Sequence, residues 1–249
     1  MRNRVLILGL SVIIYFVSYE LQAAGIGMYG MFGYGSTSLD QHIKPLLFYR
    51  KYGNYIAGGG LVIDTNCSGP GIFNYRITIG AMRTFDAVKR ESVLPHMTTR
   101  TQFVNTFGLG IVRQESFRLW IGPQVGLSLL NGIYKGNRNN MLAVYGGGLS
   151  INLNYIDKLQ YSMIGGTFGI ALGMNLNFKR NITMLIEGSW RYDVYYGMYR
   201  RDYFIGFEKV SFSKWVDGYA DGLYLSLGIM YRMSEPAAEN ADNNTVGQK

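Results

Sequence analysis

The chain has 249 residues, 48% of them hydrophobic and only 16% charged, with 33 Gly, 20 Tyr and 13 Phe. Soluble domains average about 25% charged residues and about 7% Gly, so a disordered, highly charged chain is excluded. A single Cys excludes a disulfide framework and a cysteine-based metal site. The formal net charge of +8 raises nucleic acid as a partner, but neither a concentrated basic stripe nor a recognisable module accompanies it.

The first four residues carry two arginines, and Val5 to Val17 is a 13-residue apolar run. Leu21-Gln22-Ala23-Ala24-Gly25 then supplies small residues. Positive start, short apolar middle and small-residue end predict a signal peptide over residues 1–25, cleaved between Ala23 and Ile26. The run is too short for a transmembrane helix, which needs roughly 20 apolar residues.

Residues 26–233 alternate with period two, the periodicity of a strand whose side chains point to opposite faces. Phe73, Tyr75, Ile77 and Ile79 oppose Asn74, Arg76, Thr78 and Gly80. Leu119, Ile121, Val125, Leu127 and Leu129 oppose Arg118, Gln124, Gly126 and Ser128. Phe168, Ile170, Leu172, Met174, Leu176 and Phe178 oppose Thr167, Gly169, Gly173, Asn175 and Asn177. Ile182, Met184, Ile186, Trp190, Tyr192 and Val194 oppose Thr183, Glu187, Ser189, Arg191 and Asp193. Leu223, Leu225, Leu227, Ile229, Tyr231 and Met233 oppose Ser226, Gly228 and Arg232.

These runs exceed the five or six residues of ordinary soluble strands and suit a tilted membrane crossing, which takes about 9–11 residues. A bulky apolar face set against a small, Gly-rich polar one predicts an all-β antiparallel up-and-down transmembrane barrel, narrow and closed. Trp120, Trp190, Tyr192, Tyr219 and Tyr231 are expected in interfacial aromatic girdles. A soluble barrel or sandwich would carry Lys and Glu on the polar face in place of Gly, Asn, Ser and Thr.

Eight strands are expected near 26–36, 54–64, 72–84, 99–114, 118–131, 163–178, 182–196 and 219–233. Long, basic stretches at 37–53, 85–98, 132–162 and 197–218 read as external loops, and tight connections such as Lys179-Arg180-Asn181 as periplasmic turns. The alternation of Met141, Ala143, Tyr145, Leu149, Ile151 and Leu153 leaves a ten-strand alternative open, with further crossings at 142–155 and near 203–213. Residues 234–249 are polar, lack aromatics and read as a disordered periplasmic tail.

The Gly-aromatic first strand Met28-Tyr29-Gly30-Met31-Phe32-Gly33-Tyr34 and the run Gly169 to Tyr192 resemble small bacterial outer-membrane barrels. The resemblance is to OmpW-like barrels and the N-terminal barrel of OmpA. Ser226, Gly228, Tyr231 and Met233 resemble the assembly signal of such barrels, with Met in the last aromatic place. The resemblance implies bacterial outer-membrane residence, lipid contact and insertion by the barrel-assembly machinery. An OmpW-like role further implies a narrow channel or uptake route for small, hydrophobic solutes.

Chemistry is sparse. His42 and His96, the two histidines, fall in expected external loops, where Asp40 and Ser92 are their available partners. Neither pairing reproduces a hydrolase motif, and no metal-ligand cluster accompanies them, so no catalytic, cofactor or metal site is assigned. Gly58-Gly59-Gly60 and Gly146-Gly147-Gly148 open no helix before Lys-Ser or Lys-Thr and are not phosphate loops. Arg76, Arg118, Glu187, Arg191, Asp193 and Arg232 are expected to face the lumen, with the two carboxylates pairing some of the arginines as a plug or a gate. Lys44, Arg50, Lys51, Lys89, Arg90, Arg100, Arg200, Arg201, Lys209 and Lys214 lie in or beside external loops, where they could meet lipopolysaccharide or anionic surface glycans. Three readings follow: a narrow channel, a plugged structural or adhesive surface protein, and an outer-leaflet hydrolase built on the loop histidines.

Overall fold

The computed structural model describes residues 24–39, 53–86, 97–143, 150–178, 181–205 and 208–233. They form eight antiparallel strands: β1 Gly25–Leu39, β2 Gly53–Asp64, β3 Phe73–Asp86, β4 Met97–Arg113, β5 Phe117–Ala143, β6 Ser150–Phe178, β7 Ile182–Ile205 and β8 Glu208–Arg232. Each pairs with its sequence neighbours, and β8 closes on β1 from Gly25↔Arg232 to Leu39↔Gly218. Closure removes the edges that would leave backbone groups unsatisfied in lipid.

The ten-strand alternative is overturned. Residues 142–143 and 150–155 do not cross the membrane a further time but continue the β5–β6 hairpin, ending at Leu142↔Ile151 and Ala143↔Ser150. Most of the expected loops at 132–162 and 197–218 are likewise strand, because β5 to β8 run 24 to 29 residues each. A tilted strand of that length rises roughly 60 Å, whereas the lipid-facing band of a barrel is about 25 Å tall. The β5–β8 wall therefore projects well beyond the membrane. The other ends meet at tight connections, where Asn181 takes φ 60°, a left-handed conformation that Asn tolerates. Residues 1–23 of the expected signal peptide, the 234–249 tail and the Gly146–Gly148 run lie outside the described residues, while Ala24 precedes β1, Gly25 opens it and Gly58–Gly60 lie within β2.

The alternations read over 73–80, 118–129, 167–178, 182–194 and 223–233 keep their faces. Met28, Leu223 and Ile229 are 70%, 65% and 66% exposed, while Arg76, Thr106, Asn175 and Asp193 on the opposite face are 0% exposed. This is a soluble protein's distribution turned inside out, so the apolar exterior is a lipid-facing belt. On β8 the belt runs nine residues, Leu223 to Tyr231, before Asp221 and Asp217 take over. Trp190, Tyr192, Tyr219 and Tyr231 face outward, with Tyr192 stacked on Tyr219 at 6.3 Å and Tyr196 on Trp215 at 5.3 Å. Trp120 corrects the girdle expectation: it is fully buried and points into the lumen. The chain is a closed transmembrane β-barrel, apolar toward lipid and polar inside.

Candidate functional site in the barrel lumen

Arg76, Arg118, Glu187, Arg191, Asp193 and Arg232 all point inward and are buried. In β3, Arg76 donates from Nε to Asp64 Oδ2 at 3.0 Å and from Nη1 to Glu187 Oε2 at 3.2 Å. Its guanidinium carbon lies 4.3 Å from the centroid of the Trp120 ring, so that ring supplies a π-face to a desolvated cation. Glu187 Oε1 also accepts from Gln124 Nε2 at 3.2 Å and from Arg191 Nη2 at 3.4 Å. Arg191 donates from Nε to Gln124 Oε1 at 3.0 Å and from Nη1 to Gln102 Oε1 at 3.1 Å.

A second layer lies toward the end at which β5 to β8 extend. Arg100 Nη1 donates to Asp193 Oδ2 at 2.9 Å and to the Tyr224 hydroxyl at 2.8 Å. Thr167 Oγ1 also donates to Asp193. Gln102 joins the layers, because its Nε2 donates to Asp193 Oδ1 at 3.2 Å while its Oε1 accepts from Arg191. The result is one hydrogen-bonded chain from Asp64, beside the β2–β3 turn, to Arg100. It holds three guanidinium groups, of Arg76, Arg100 and Arg191, against three carboxylates, of Asp64, Glu187 and Asp193. Charges so deeply buried are tolerable only when paired and hydrogen-bonded, and these are.

Arg100 is thus a correction. Its expected place is beside an external loop, but it lies in the lumen, on the face of β4 that also carries Gln102, Val104 and Thr106. The sequence reading also omits Asp64, the carboxylate that carries Arg76, and the amide linker Gln102, and it places Gln124 on the polar face without its linking role. Parity along β4 and β5 is the available signal for Arg100, Gln102 and Trp120.

Arg118 and Arg232 serve the rim that carries the short connections. Arg118 donates from Nη1 to the Gly69 carbonyl at 2.7 Å, and Arg232 donates to the Phe178 carbonyl. The β2–β3 turn, residues 65–72, reaches inward there, burying Asn66 and Cys67. Burial, reinforced by the Asp64 carboxylate, pushes the Cys67 thiol up to about 12.

Ser226 and Gly228 face the lumen and Tyr231 and Met233 the exterior, with the Met233 amide donating to the Ala24 carbonyl at 2.9 Å. Among the basic positions, Arg200 and Arg201 lie on β7 and Lys209 and Lys214 on β8, on strands in place of the loops expected. Arg200 Nε donates to Asp202 Oδ1 at 3.0 Å, and Lys214 is exposed. Lys44, Arg50, Lys51, Lys89, Arg90, His42, His96, Asp40 and Ser92 lie outside the described residues. Among the described residues there is no cluster of His, Cys, Asp and Glu suited to a metal ion.

No protein-family profile and no curated protein matches the sequence. Solved structures with some likeness include a major outer membrane protein from Thermus thermophilus, at 11% identity and TM-score 0.43, covering 82% of this chain and 98% of that one. The outer membrane protease OmpT from Escherichia coli is 10% identical, with TM-score 0.36 and coverage of 84% and 95%. A Pseudomonas aeruginosa FadL homologue is 8% identical, with TM-score 0.28 and coverage of 84% and 90%. Likeness at these values carries no inference about activity, and the barrel is defined by its own strand ring and surface.

Proposed function

We propose that this barrel is a plugged outer-membrane anchor that presents its projecting β5–β8 wall at the cell surface, and neither an open channel nor an enzyme. The carrying observation is the charge-balanced network across the lumen, where Arg76, Arg100 and Arg191 are each 2% exposed or less and held by carboxylates and amides from the facing strands. An ion passing this section would have to break several buried, charge-assisted hydrogen bonds at once, each worth about 1.5–3 kcal/mol. The channel reading inferred from OmpW-like resemblance draws no support from a lumen filled in this way. The partner in this reading is an anionic surface glycan or lipopolysaccharide met by the external basic residues, of which Arg200 and Lys214 stand on the projecting wall. Ser226, Gly228, Tyr231 and Met233 serve as the signal read by the barrel-assembly machinery.

The test is single-channel recording of the refolded mature chain in planar bilayers, after heat-modifiable migration confirms the barrel. The expected record is silent. Discrete openings in the wild-type protein would overturn the plug and restore the channel. Binding to lipopolysaccharide-containing vesicles that falls on substitution of Arg200 and Lys214 would support the partner.

A further inference from the structure

The β2–β3 turn, Thr65-Asn66-Cys67-Ser68-Gly69-Pro70-Gly71-Ile72, is more than a hairpin connection. Its backbone is held from across the mouth by side chains of other strands. Asn175 of β6 donates from Nδ2 to the Cys67 carbonyl at 2.9 Å. Arg118 of β5 reaches the Gly69 carbonyl at 2.7 Å, and Arg113 of β4 reaches the Pro70 carbonyl at 3.1 Å. Cys67 is fully buried in a cluster with Val62, Trp120, Leu185 and Met230, residues of four different strands. Asp64, the last residue of β2 before the turn, and its partner Arg76 are both 0% exposed.

Asn66 adds two local bonds, from its backbone amide to Asp64 Oδ1 at 2.9 Å and from Nδ2 to the Phe73 carbonyl at 2.8 Å. Apart from the backbone bonds of its two ends, at Thr65 and Ile72, the turn is thus held through side chains and not by a strand ladder. A segment held in that way can open while the ring persists, because opening breaks no inter-strand register. We propose that the β2–β3 turn is a periplasmic gate, which opens locally and admits water and small ions to the Asp64–Arg76 end of the lumen while the Arg100–Asp193 layer stays shut. This goes beyond the plug and does not depend on it, since an unseated turn need not let an ion through the layer above.

Cys67 reports the movement directly. The refolded wild-type chain in lipid vesicles would be labelled with a small polar maleimide across a series of low urea concentrations. Local opening predicts labelling that is slow, far faster than global unfolding allows, and nearly independent of urea. Labelling that appears only with global unfolding, and with its full urea dependence, would overturn the gate. The double variant Arg113→Ala/Arg118→Ala is expected to label at least tenfold faster with unchanged heat-modifiable migration. An unchanged rate in a folded double variant would also overturn it. Conductance measured on the same samples reads the plug separately: silence alongside faster labelling keeps both proposals, whereas openings keep the gate and remove the plug.

Discussion

Arg100 of β4 and Asp193 of β7 meet across the lumen at 2.9 Å, with neither side chain more than 1% exposed. The strands that carry them are not neighbours in the ring, so the pair ties opposite walls together. Removing one partner strands the other charge in a dry interior, a loss of about 3–5 kcal/mol, whereas an apolar pair of similar volume is close to neutral. Asp193→Ala is therefore expected to lower the unfolding free energy by that amount. The double variant Arg100→Leu/Asp193→Leu should recover most of it. Urea titration of vesicle-inserted barrels, followed by tryptophan fluorescence, measures both; additive losses in the double variant would contradict the coupling.

Trp120 and Gly173 face each other in the β5–β6 register, and a Cβ built on Gly173 would lie 1.9 Å from the indole ring. The ring is fully buried against Arg76 and has no room to move. Gly173→Ala is expected to cost about 1–3 kcal/mol through overpacking and to reduce the folded fraction on heat-modifiability gels. Gly188 is the matched control on the lipid face, where an added Cβ meets nothing within 4 Å. Gly188→Ala should stay within about 0.5 kcal/mol of wild type.

The faces of the barrel were legible because side-chain parity is set by backbone geometry and lipid forces a sharp contrast between the two sides. Leu223 to Met233 and Thr183 to Asp193 read correctly residue by residue. Arg100 and Trp120 depart from expectation because a cation near a loop and an indole near a strand end are weaker signals than parity. The same parity that turns Leu119 and Ile121 to lipid turns Arg118 and Trp120 inward. Strand length was less legible. Beyond the membrane both faces are wet, so alternation fades, and Ser211 to Trp215 are exposed on either side of β8. Asp64 and Arg76 are partners within the β2–β3 hairpin, but Glu187 lies 111 residues from Arg76, and only the ring brings it there.

Leu227 occupies the middle of the nine-residue apolar run on β8 and is half exposed to lipid. A cation at the bilayer midplane costs a barrel about 2–4 kcal/mol, falling to about 0–1 near the interfaces. Leu227→Arg is expected to lose stability in that range. Ser213→Arg, on the projecting part of the same strand, should lose almost none. Equal effects at the two positions in vesicle unfolding titrations would be incompatible with a lipid belt ending near Leu223.

Cys67 supplies the pH prediction. Its thiol is raised from 9.0 to about 12, first by burial and then by the Asp64 carboxylate. The folded protein holds this proton more tightly than the unfolded chain, so the contribution to stability is complete below pH 9 and is lost as pH climbs toward 12. Across that window the loss is at most about 1.4 kcal/mol per pH unit. Cys67→Ala removes the titrating group, so the difference in stability between wild type and variant should be flat from pH 6 to 8 and shrink in the variant's favour above pH 9. A difference that stays constant through pH 11 would show that the thiol is exposed to water in the folded barrel, contrary to its place under the β2–β3 turn.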